Sequence, residues 1–501
     1  MLNNLINTFE RFGERNALFV KEQYYTYHQL SESINAIKDL IKDNVDPNNS
    51  LIGIVALDDF ETYASFLAAW FAGVGFVPLN PKIPYDRNNR IIDQSDISLV
   101  LSSKTDISKI IDGTKIKVIC TKGLTIKAES LSVPAIPDNQ IMTILFTSGS
   151  TGIPKGVPMT LQNINATLDS FWDLGYILNE NDRFLQMFEF TFDMSMLSYL
   201  PAFLIGACVY SIADAKVKYL AAIKMMQLHD ITFAAMVPST LAFSKPYFNE
   251  LKLEKLKYSL IGGEPFTVKL AMEWAECVPN ATIVNISGPT ETTMACMGYT
   301  LHKDWAKNKA SNGILAFGKP WKNTKAILVD EQLKLVSDGE LGELCFSGDN
   351  VMNGYWKMSD KNNEVFFVMN MDRKECRFYR TGDMAYRDQE GDYMTCGRTD
   401  QQVKIQGHRV ELAEIEALVR EHFNIMQVSA LVNKDSEGIS HIYLFVENYV
   451  GTLQHVTDYL KTKLPWYMIP NEIITIKNFP LNVNGKIDRK ALLDNVNKHG
   501  I

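Results

Sequence analysis

Residues 145–157 read Leu-Phe-Thr-Ser-Gly-Ser-Thr-Gly-Ile-Pro-Lys-Gly-Val, and this stretch decides how the rest of the chain is interpreted. Its glycines leave backbone N–H groups free to approach an anion closely, and they are Gly149, Gly152 and Gly156. Its hydroxyl side chains add hydrogen-bond donors, and they are Thr147, Ser148, Ser150 and Thr151. Lys155 adds a positive charge. The stretch therefore predicts a loop that holds the phosphate groups of a nucleotide.

The spacing of this loop differs from the Walker A pattern, because Gly156 follows Lys155 and no glycine stands five residues after Gly149. A P-loop kinase is therefore disfavoured. A solvated loop without function has a similar composition, since turns favour glycine, serine and threonine. The other segments of the chain decide between these two interpretations.

Further segments occur in the order in which one known family carries its motifs. Four of them read Phe-Asp-Met-Ser at 192–195, Asn-Ile-Ser-Gly-Pro-Thr-Glu at 285–291, Tyr-Arg-Thr-Gly-Asp at 379–383 and Asn-Gly-Lys-Ile-Asp-Arg at 484–489. Others lie at 71–81, 342–344, 354–355, 397–411 and 464–470. Together with the loop, the series resembles the adenylate-forming superfamily, which includes acyl-CoA synthetases, luciferases and the amino-acid adenylation domains of nonribosomal peptide synthetases. The resemblance covers residues from about 20 to 490.

The length and patterning of the chain predict more than one domain. At 501 residues, the chain is longer than a domain with a single hydrophobic core usually is. Short apolar runs alternate with helical stretches, as at 51–57 and 60–73, with a turn at 78–84, which indicates an α/β protein with buried sheets. The last hundred residues predict a small α+β unit. Its expected elements are a helix that includes Val410 and Leu412, a strand at 441–446, a helix at 456–464 and a strand at 473–476.

The resemblance implies the same division with boundaries. It places a large N-terminal α/β domain with packed sheets at 1–397 and a small, mobile C-terminal α+β domain at 401–501. A hinge at 398–400 would turn at Asp400, in a polar segment where a large change of backbone angles can be absorbed.

The resemblance also assigns residues to ATP and Mg²⁺. The nucleotide would contact Thr147, Ser148, Gly149, Ser150, Thr151, Gly152, Gly263, Glu264, Asn285, Ser287, Thr290, Asp383 and Arg398. Lys486 would bridge the substrate carboxylate and the α-phosphate, and Lys155 and Arg398 would complete the catalytic set. Glu291 would hold Mg²⁺ and Asp383 the ribose hydroxyls. Considered one at a time, these residues also have explanations without a function. Lys486 could be a surface lysine, Glu291 an acid in the first turn of a helix, and Asp383 an aspartate in a turn.

One position departs from the family pattern. Where the family usually has an aromatic residue that stacks on adenine, directly before Gly-Pro-Thr-Glu, this chain has Ser287. Stacking on a nucleobase contributes about 1–3 kcal/mol. The adenine contact must therefore be made elsewhere, or the selectivity for the base is relaxed.

Asp193 points to an amino acid as the acid that is activated. It stands in an apolar run, where a carboxylate needs a partner, and a substrate ammonium would supply one. In the amino-acid branch of the family this aspartate binds the α-amino group, whereas a helix cap or a structural ion pair is the ordinary alternative. By alignment, the remaining pocket residues are Met194, Leu197, Met236, Leu260, Gly262, Ile286, Met294 and Ala295. Because none is charged, a neutral, small or apolar amino acid is favoured.

The resemblance further implies a second step in which a thiol accepts the aminoacyl group. The D-alanine–carrier-protein ligases and the freestanding adenylation proteins of nonribosomal pathways are the most similar branches. No phosphopantetheine attachment serine is found near the tail, so a carrier protein is expected in trans, with CoA as the other possible acceptor. In the family, segment 404–411 replaces Lys486 at the active site for this step, and Gly407 leaves space for the pantetheine arm.

Composition limits the other possibilities. A net charge of −8 argues against a nucleic-acid partner. The longest apolar runs are too short and interrupted for a membrane span. Seven scattered cysteines without a Cys-x-x-Cys pair predict a reducing compartment, hence the cytoplasm. Two alternative functions remain: an acyl- or aryl-acid–CoA ligase on the same fold, which Asp193 disfavours, and a nucleotide-binding protein without catalysis.

Overall fold

The computed structural model describes residues 1–46, 50–124, 130–149, 153–212, 215–371, 373–400, 402–425, 427–435, 437–480, 487–489 and 491–494. Sheets and helices alternate through the first four hundred residues, and a smaller mixed unit follows. The predicted fold class, a large α/β domain followed by a small C-terminal α+β domain, is confirmed.

The largest sheet has nine strands and is parallel at its centre. In spatial order its strands are Lys319–Pro320, Met297–Thr300, Thr282–Ser287, Tyr258–Gly262, Phe233–Met236, Arg183–Gln186, Cys208–Ser211, Asn16–Val20 and Gln23–Thr26. The central strands are buried along almost their whole length, which explains their continuous apolar sequence. Parallel strands end at one edge, so the loops that follow them meet there.

A second sheet has six strands and is also mainly parallel. Its strands are Lys117–Cys120, Leu99–Ser102, Leu51–Val55, Gly75–Leu79, Ile141–Thr147 and Lys155–Thr160 in spatial order. The last two are antiparallel, with Thr147 opposite Lys155. The phosphate-loop motif is therefore the connection of a β-hairpin at the sheet edge.

A third, antiparallel sheet and a short ribbon complete the large domain. The sheet contains Thr324–Val329, Gly342–Gly348, Phe366–Met371, Lys374–Arg387 and Tyr393–Arg398, and the ribbon pairs Ala310–Ser311 with Ile314–Leu315. The α-helices of this domain are Leu2–Arg11, Tyr27–Asn44, Phe60–Phe71, Tyr85–Ser95, Leu161–Asp173, Met194–Ile205, Lys218–Leu228, Pro238–Ser244, Val268–Cys277 and Ser359–Val365. Short 3₁₀ helices lie at Lys245–Glu250, Thr290–Thr292 and Trp305–Lys307. One large apolar core joins most of these helices to the two parallel sheets, whereas Tyr85–Ser95 and Ser359–Val365 pack in smaller clusters.

The C-terminal unit has a separate core. It contains the ribbon of Gln402–Ile405 and His408–Glu411, the helices Leu412–Phe423 and Leu453–Lys463, the 3₁₀ helix Trp466–Met468, and a sheet of Val428–Lys434, Ser440–Glu447 and Glu472–Ile476. Its buried apolar residues, from Ile405 to Ile473, form a cluster of their own. The two predicted strands and the predicted helix between them are present.

Three predicted boundaries differ from the structure. Pro78 belongs to the strand Gly75–Leu79, so the turn begins after Leu79. Val410 lies in the strand His408–Glu411, and the helix begins at Leu412. Arg398 ends a strand of the large domain, which places the polar connection after it. The division at 397 and 401 otherwise stays a prediction. Among the described residues, no helix is both long and apolar enough to span a membrane.

Candidate active site

The phosphate loop begins with a close backbone contact. A Cβ atom on Gly149 would lie 2.1 Å from the carbonyl oxygen of Ile153, so only glycine fits there. Ser148 is buried, and its Oγ donates a hydrogen bond to the carbonyl oxygen of Arg409 at 2.7 Å. Ser150, Thr151 and Gly152 lie outside the described residues. The described part of the loop therefore faces the C-terminal unit.

Asp193 lies at the N-cap position of the helix Met194–Ile205 and is 3% exposed. Its Oδ2 is buried, and among the described residues it has no hydrogen-bond partner. Burial raises the pKa of this carboxyl to about 7, although the charge of Lys404 and a hydrogen bond from Thr290 act in the opposite direction. Ionisation of this carboxyl group therefore costs free energy unless a cation lies at Oδ2.

A cavity of about 80 Å³ adjoins Asp193. The predicted residues that line it are Thr147, Ser148, Asp193, Met194, Gly263, Ile286, Ser287, Thr290, Met294 and Ala295. Four predicted pocket residues do not line it, and they are Leu197, Met236, Leu260 and Gly262. At Gly262 a Cβ atom would lie 2.4 Å from the carbonyl oxygen of Ile286. The absence of a side chain at Gly262 therefore allows the strand Thr282–Ser287 to lie close to it.

The backbone beside this cavity is strained. Thr293 and Met294 have φ angles of 59° and 71°, a region that residues with side chains rarely adopt. Thr293 is fixed by hydrogen bonds on both sides, because its Oγ1 donates to Asn350 at 2.8 Å and its carbonyl accepts from Thr167 at 3.1 Å. The strain is thus held by the surrounding fold and positions Met294 at the cavity.

A second cavity, of about 410 Å³, adjoins the first. The predicted nucleotide and hinge residues that line it are Gly263, Glu264, Asn285, Ser287, Asp383, Arg398 and Asp400. Asn285 also ties two elements of the wall together, because its Nδ2 donates to the carbonyl oxygen of Ala316 at 2.7 Å. Residues more than a hundred positions apart in the chain therefore meet around one nucleotide-sized space.

Arg398 joins the predicted ribose carboxylate to the predicted hinge. Its Nη1 donates to Asp383 at 2.6 Å, and its Nε and Nη2 donate to the two oxygens of Asp400 at 2.8 and 2.9 Å. Burial alone would lower the pKa of Arg398, but the two carboxylates raise it, so the guanidinium is charged. In this orientation of the C-terminal unit, Asp383 is therefore bound to Arg398.

Glu291 is completely buried and carries a cationic partner. Arg409 Nη1 lies 2.6 and 2.8 Å from its two oxygens, and the Tyr355 hydroxyl donates a further short hydrogen bond. Burial opposes ionisation, but the charges of Arg409 and Lys155 lower the pKa of Glu291 to about 2. Glu291 is thus an ionised carboxylate held between cations.

The segment 404–411 enters the site between the two cavities. Lys155 Nζ lies 3.3 Å from Glu411 Oε1, and the N–H of Gly407 donates to Glu264 Oε1 at 2.8 Å. Gly407 has a φ of 82°, and a Cβ atom on it would lie 2.7 Å from Val237 Cγ1. Both the backbone angle and the space at this position therefore require glycine.

Two further side chains of this segment line the cavities. Lys404 borders both of them, and burial lowers its pKa. His408 stacks flat on Tyr467 with ring centroids 3.9 Å apart, and burial lowers its pKa to about 4, so the imidazole is neutral. Neither His408 nor Tyr467 was singled out from the sequence, and only their places inside motifs could have indicated them. Lys486 lies outside the described residues, so its role stays a prediction.

A family model supports the same interpretation as the site. The model described as AMP-binding enzyme matches residues 6–356, which is more than half of the chain. The matched range contains the phosphate loop, Asp193 and Glu291.

The chain is also similar to curated proteins along nearly its whole length. It is 28% identical over 492 residues to zwittermicin A synthase ZmaJ of Bacillus cereus, covering 96% of this chain and 92% of that protein. It is 29% identical to gramicidin S synthase 1 of Brevibacillus brevis and 28% identical to tyrocidine synthase 1 of Brevibacillus parabrevis. The matches cover 95% and 96% of this chain but only 42% and 44% of those two proteins.

Solved structures have the same fold. The Vibrio cholerae adenylation domain AlmE, in complex with glycyl-adenosine-5'-phosphate, aligns with a TM-score of 0.88 at 20% identity over 99% of this chain and 97% of that one. Holo-PA1221, a nonribosomal peptide synthetase protein containing adenylation and PCP domains, aligns with a TM-score of 0.87 at 23% identity over 98% and 84%. The chain therefore belongs to the AMP-binding enzymes, the adenylate-forming family that its motifs resemble.

Proposed function

We propose that this protein uses ATP to activate a neutral, small or apolar amino acid and then passes the aminoacyl group to the phosphopantetheine thiol of a separate carrier protein. In the first step a carboxylate oxygen of the amino acid bonds to the α-phosphorus, and the bond to the β-phosphate oxygen breaks. The products are aminoacyl-AMP and pyrophosphate. In the second step the thiol sulfur bonds to the acyl carbon, AMP leaves and the thiol proton is lost.

Asp193 Oδ2, which has no hydrogen-bond partner among the described residues, carries this proposal. A fully buried carboxylate with an unsatisfied Oδ2 on a cavity wall is costly, and an α-ammonium group placed at that oxygen would remove the cost. An acid without an amine would leave Oδ2 unpaired. The site therefore favours amino acids over fatty or aryl acids.

The rest of this cavity supports an uncharged side chain. Met194, Ile286, Met294 and Ala295 are its apolar lining, and a charged side chain among them would lose its hydration without gaining a partner. The small volume, about 80 Å³, favours a small substrate side chain. AlmE, which has the same fold, has been crystallised with glycyl-adenosine-5'-phosphate. D-Alanine, as in the D-alanine–carrier-protein ligases, fits these conditions equally well.

The larger cavity is the proposed place of the adenosine. Asp383 would accept hydrogen bonds from the ribose hydroxyls, and Asn285 and Ser287 would border the base. The phosphates would extend towards Thr147, Ser148 and Gly149, with Lys155 and Lys486 offsetting negative charge as the carboxylate attacks. Both cavities share Gly263 and Lys404, so a bond between substrate and α-phosphate would form at their junction.

Glu291 is the residue that would hold Mg²⁺. This ion prefers oxygen ligands and is commonly bound by one or two carboxylates together with substrate phosphates. The buried, ionised carboxylate of Glu291 would fit such a group once Arg409, which holds it in the observed orientation, has moved away. When bound, Mg²⁺ would neutralise charge on the phosphates.

The observed orientation of the C-terminal unit supports the second step. Segment 404–411 borders the Asp193 cavity, and Gly407 packs so closely against Val237 and Phe192 that a side chain there would collide with them. We propose that the pantetheine arm reaches the acyl carbon along this segment. For adenylation the unit would turn about Asp400, which would remove this segment and bring Lys486 to the phosphates.

Amino-acid-dependent exchange of radioactive pyrophosphate into ATP tests the proposal. Panels of D- and L-amino acids are compared with the same acids lacking the amine. We expect exchange only with small or apolar amino acids, and its loss in Asp193→Ala. Asp360→Ala, which removes an exposed acid in a helix of the large domain, is the matched control.

The rival activity makes the opposite prediction. Exchange with amine-free acids, followed by their transfer to CoA, would identify an acyl- or aryl-acid–CoA ligase. The fold alone is compatible with this outcome, because the o-succinylbenzoate CoA synthetase of Bacillus subtilis aligns with a TM-score of 0.84 at 22% identity. Absence of exchange with every acid of both panels would contradict catalysis of either kind.

A further inference from the structure

Ser287 leaves the proposed base site without the flat surface that a nucleobase usually requires. Its side chain borders the cavity of about 410 Å³, but a hydroxymethyl group has no aromatic face. Of the cavity-lining residues, two are aromatic, Phe266 and Phe317. Phe266 is 1% exposed and packs in the main core, so its ring is not available to stack on a base. Phe317 is half-buried.

The backbone around Phe317 is fixed at the cavity wall from three directions. Its N–H donates to the carbonyl oxygen of Tyr393 at 2.9 Å, and the preceding carbonyl, of Ala316, accepts the hydrogen bond from Asn285. The following residue, Gly318, has a φ of 81°, and a Cβ atom there would lie 2.0 Å from the carbonyl oxygen of Gly298. Phe317 therefore stands at a defined position next to the motif that contains Ser287.

One side of the Phe317 side chain packs on the small core formed by Val157, Met297 and their neighbours. Within the part of the chain that the structure describes, its ring makes no pair with another aromatic ring. A ring that is supported on one side and borders an open cavity on the other is suited to stack on a planar base.

We propose that Phe317 supplies the stacking surface for the nucleobase that Ser287 does not. This inference rests on the proposed use of ATP and adds the residue that holds its base. The stacking ring would then belong to the connection before the strand Lys319–Pro320 instead of the end of the strand Thr282–Ser287, and both positions line the same cavity. Binding of adenine thus depends on a ring outside the usual motif.

Calorimetric binding of AMP to the full chain tests this directly. Phe317→Leu keeps an apolar side chain of similar size but removes the aromatic face, and we expect its Kd for AMP to rise about tenfold. Phe317→Tyr keeps the face and should bind AMP within about twofold of the unmodified protein. Inorganic tripolyphosphate, which has no base, should bind all three proteins equally. Circular dichroism and the thermal midpoint establish that each variant is folded.

Two results would overturn the inference. One is Phe317→Leu binding AMP as tightly as the unmodified protein. The other is an equal weakening of AMP and tripolyphosphate, which would indicate a general change of the site. Because AMP binding needs no acid substrate, the test stays separate from the pyrophosphate exchange that examines the proposed function.

Discussion

Arg409 of the C-terminal unit holds both carboxylate oxygens of Glu291 in the large domain, with Nη1 at 2.6 and 2.8 Å. Glu291 is the residue proposed to hold Mg²⁺. Because Nη1 spans both oxygens, a metal ion bound to this carboxylate would compete with the guanidinium. The observed orientation is therefore the one suited to the step after pyrophosphate has left.

Replacing Arg409 should separate the two half-reactions. In Arg409→Gln the observed orientation loses a buried charge pair, and breaking such a contact commonly costs about 2–5 kcal/mol. Thioester formation from supplied aminoacyl-AMP should fall at least about 30-fold, while pyrophosphate exchange changes by less than about threefold. Arg420→Gln, in the same unit but paired with Glu416, is the control. Equal losses in both assays would contradict the assignment.

Gly407 should matter only when the C-terminal unit has its present orientation. An alanine there would have to adopt a φ of 82° and place its Cβ 2.7 Å from Val237 Cγ1. We expect Gly407→Ala to slow aminoacyl transfer to a carrier protein about tenfold or more. Pyrophosphate exchange should stay near the unmodified rate, measured in the same preparation. A variant impaired first in exchange would contradict the proposed pantetheine path.

Lys486 should show the converse pattern. If it approaches the α-phosphate, Lys486→Ala removes a charge that acts only while the adenylate forms, and a loss of about 100-fold or more in exchange is expected. Transfer from supplied aminoacyl-AMP should be largely kept. Lys461→Ala, at an exposed position of the helix Leu453–Lys463, controls for loss of surface charge. Equal loss of both steps would overturn the role of Lys486.

The pKa of Asp193 predicts how substrate affinity changes with pH. In the substrate-free protein burial raises this pKa to about 7, and only the ionised form attracts an ammonium group. The apparent affinity for the amino acid should therefore increase about tenfold per unit as pH rises towards 7, and then level off. Titration by calorimetry from pH 5.5 to about 8.5 would measure this. A flat profile would contradict the assignment of Asp193.

Stability offers an independent check on the same group. Between about pH 4 and 7 the folded, substrate-free protein keeps a proton on Asp193 that the unfolded chain has released. The contribution of this residue to the free energy of unfolding therefore decreases as pH rises through that window. Asp193→Asn removes the effect, so its thermal midpoint should exceed that of the unmodified protein at pH 8 and approach it at pH 4.

Much of the fold follows from sequence patterns, but contacts between distant segments do not. The apolar run that became the strand Leu51–Val55 and the helix Phe60–Phe71 were both predicted. Val410 shows the limit: helical spacing assigned it to a helix, yet it lies in the strand before that helix. A single apolar residue is compatible with the periodicity of a helix and with that of a strand. The pairing of Val410 with Val403 places it in a strand.

The site shows the same limit more sharply. Motif order identified Asp193 and Glu291. Asp193 lines the cavity of about 80 Å³ and Glu291 is buried against Arg409, and their roles stay predictions. Alignment also named Met236 and Leu260, but it gives a position in the chain and not the direction of a side chain, and neither lines the cavity. The contact of Arg409 with Glu291 joins residues 118 positions apart, and no local pattern indicates it.

Charge pairs fasten the C-terminal unit to the large domain. Besides Arg409 with Glu291, they include Arg87 with Glu414 at 2.6 Å and Lys245 with Glu437 at 2.5 Å. Each unit has its own apolar core, so the proposed rotation would break these pairs, together with contacts such as Gly407 against Val237, without opening either core. Dissolved salt would therefore weaken the more exposed pair of Lys245 with Glu437 more than the buried pairs, and would change the lifetime of the observed orientation more than the thermal unfolding of either unit.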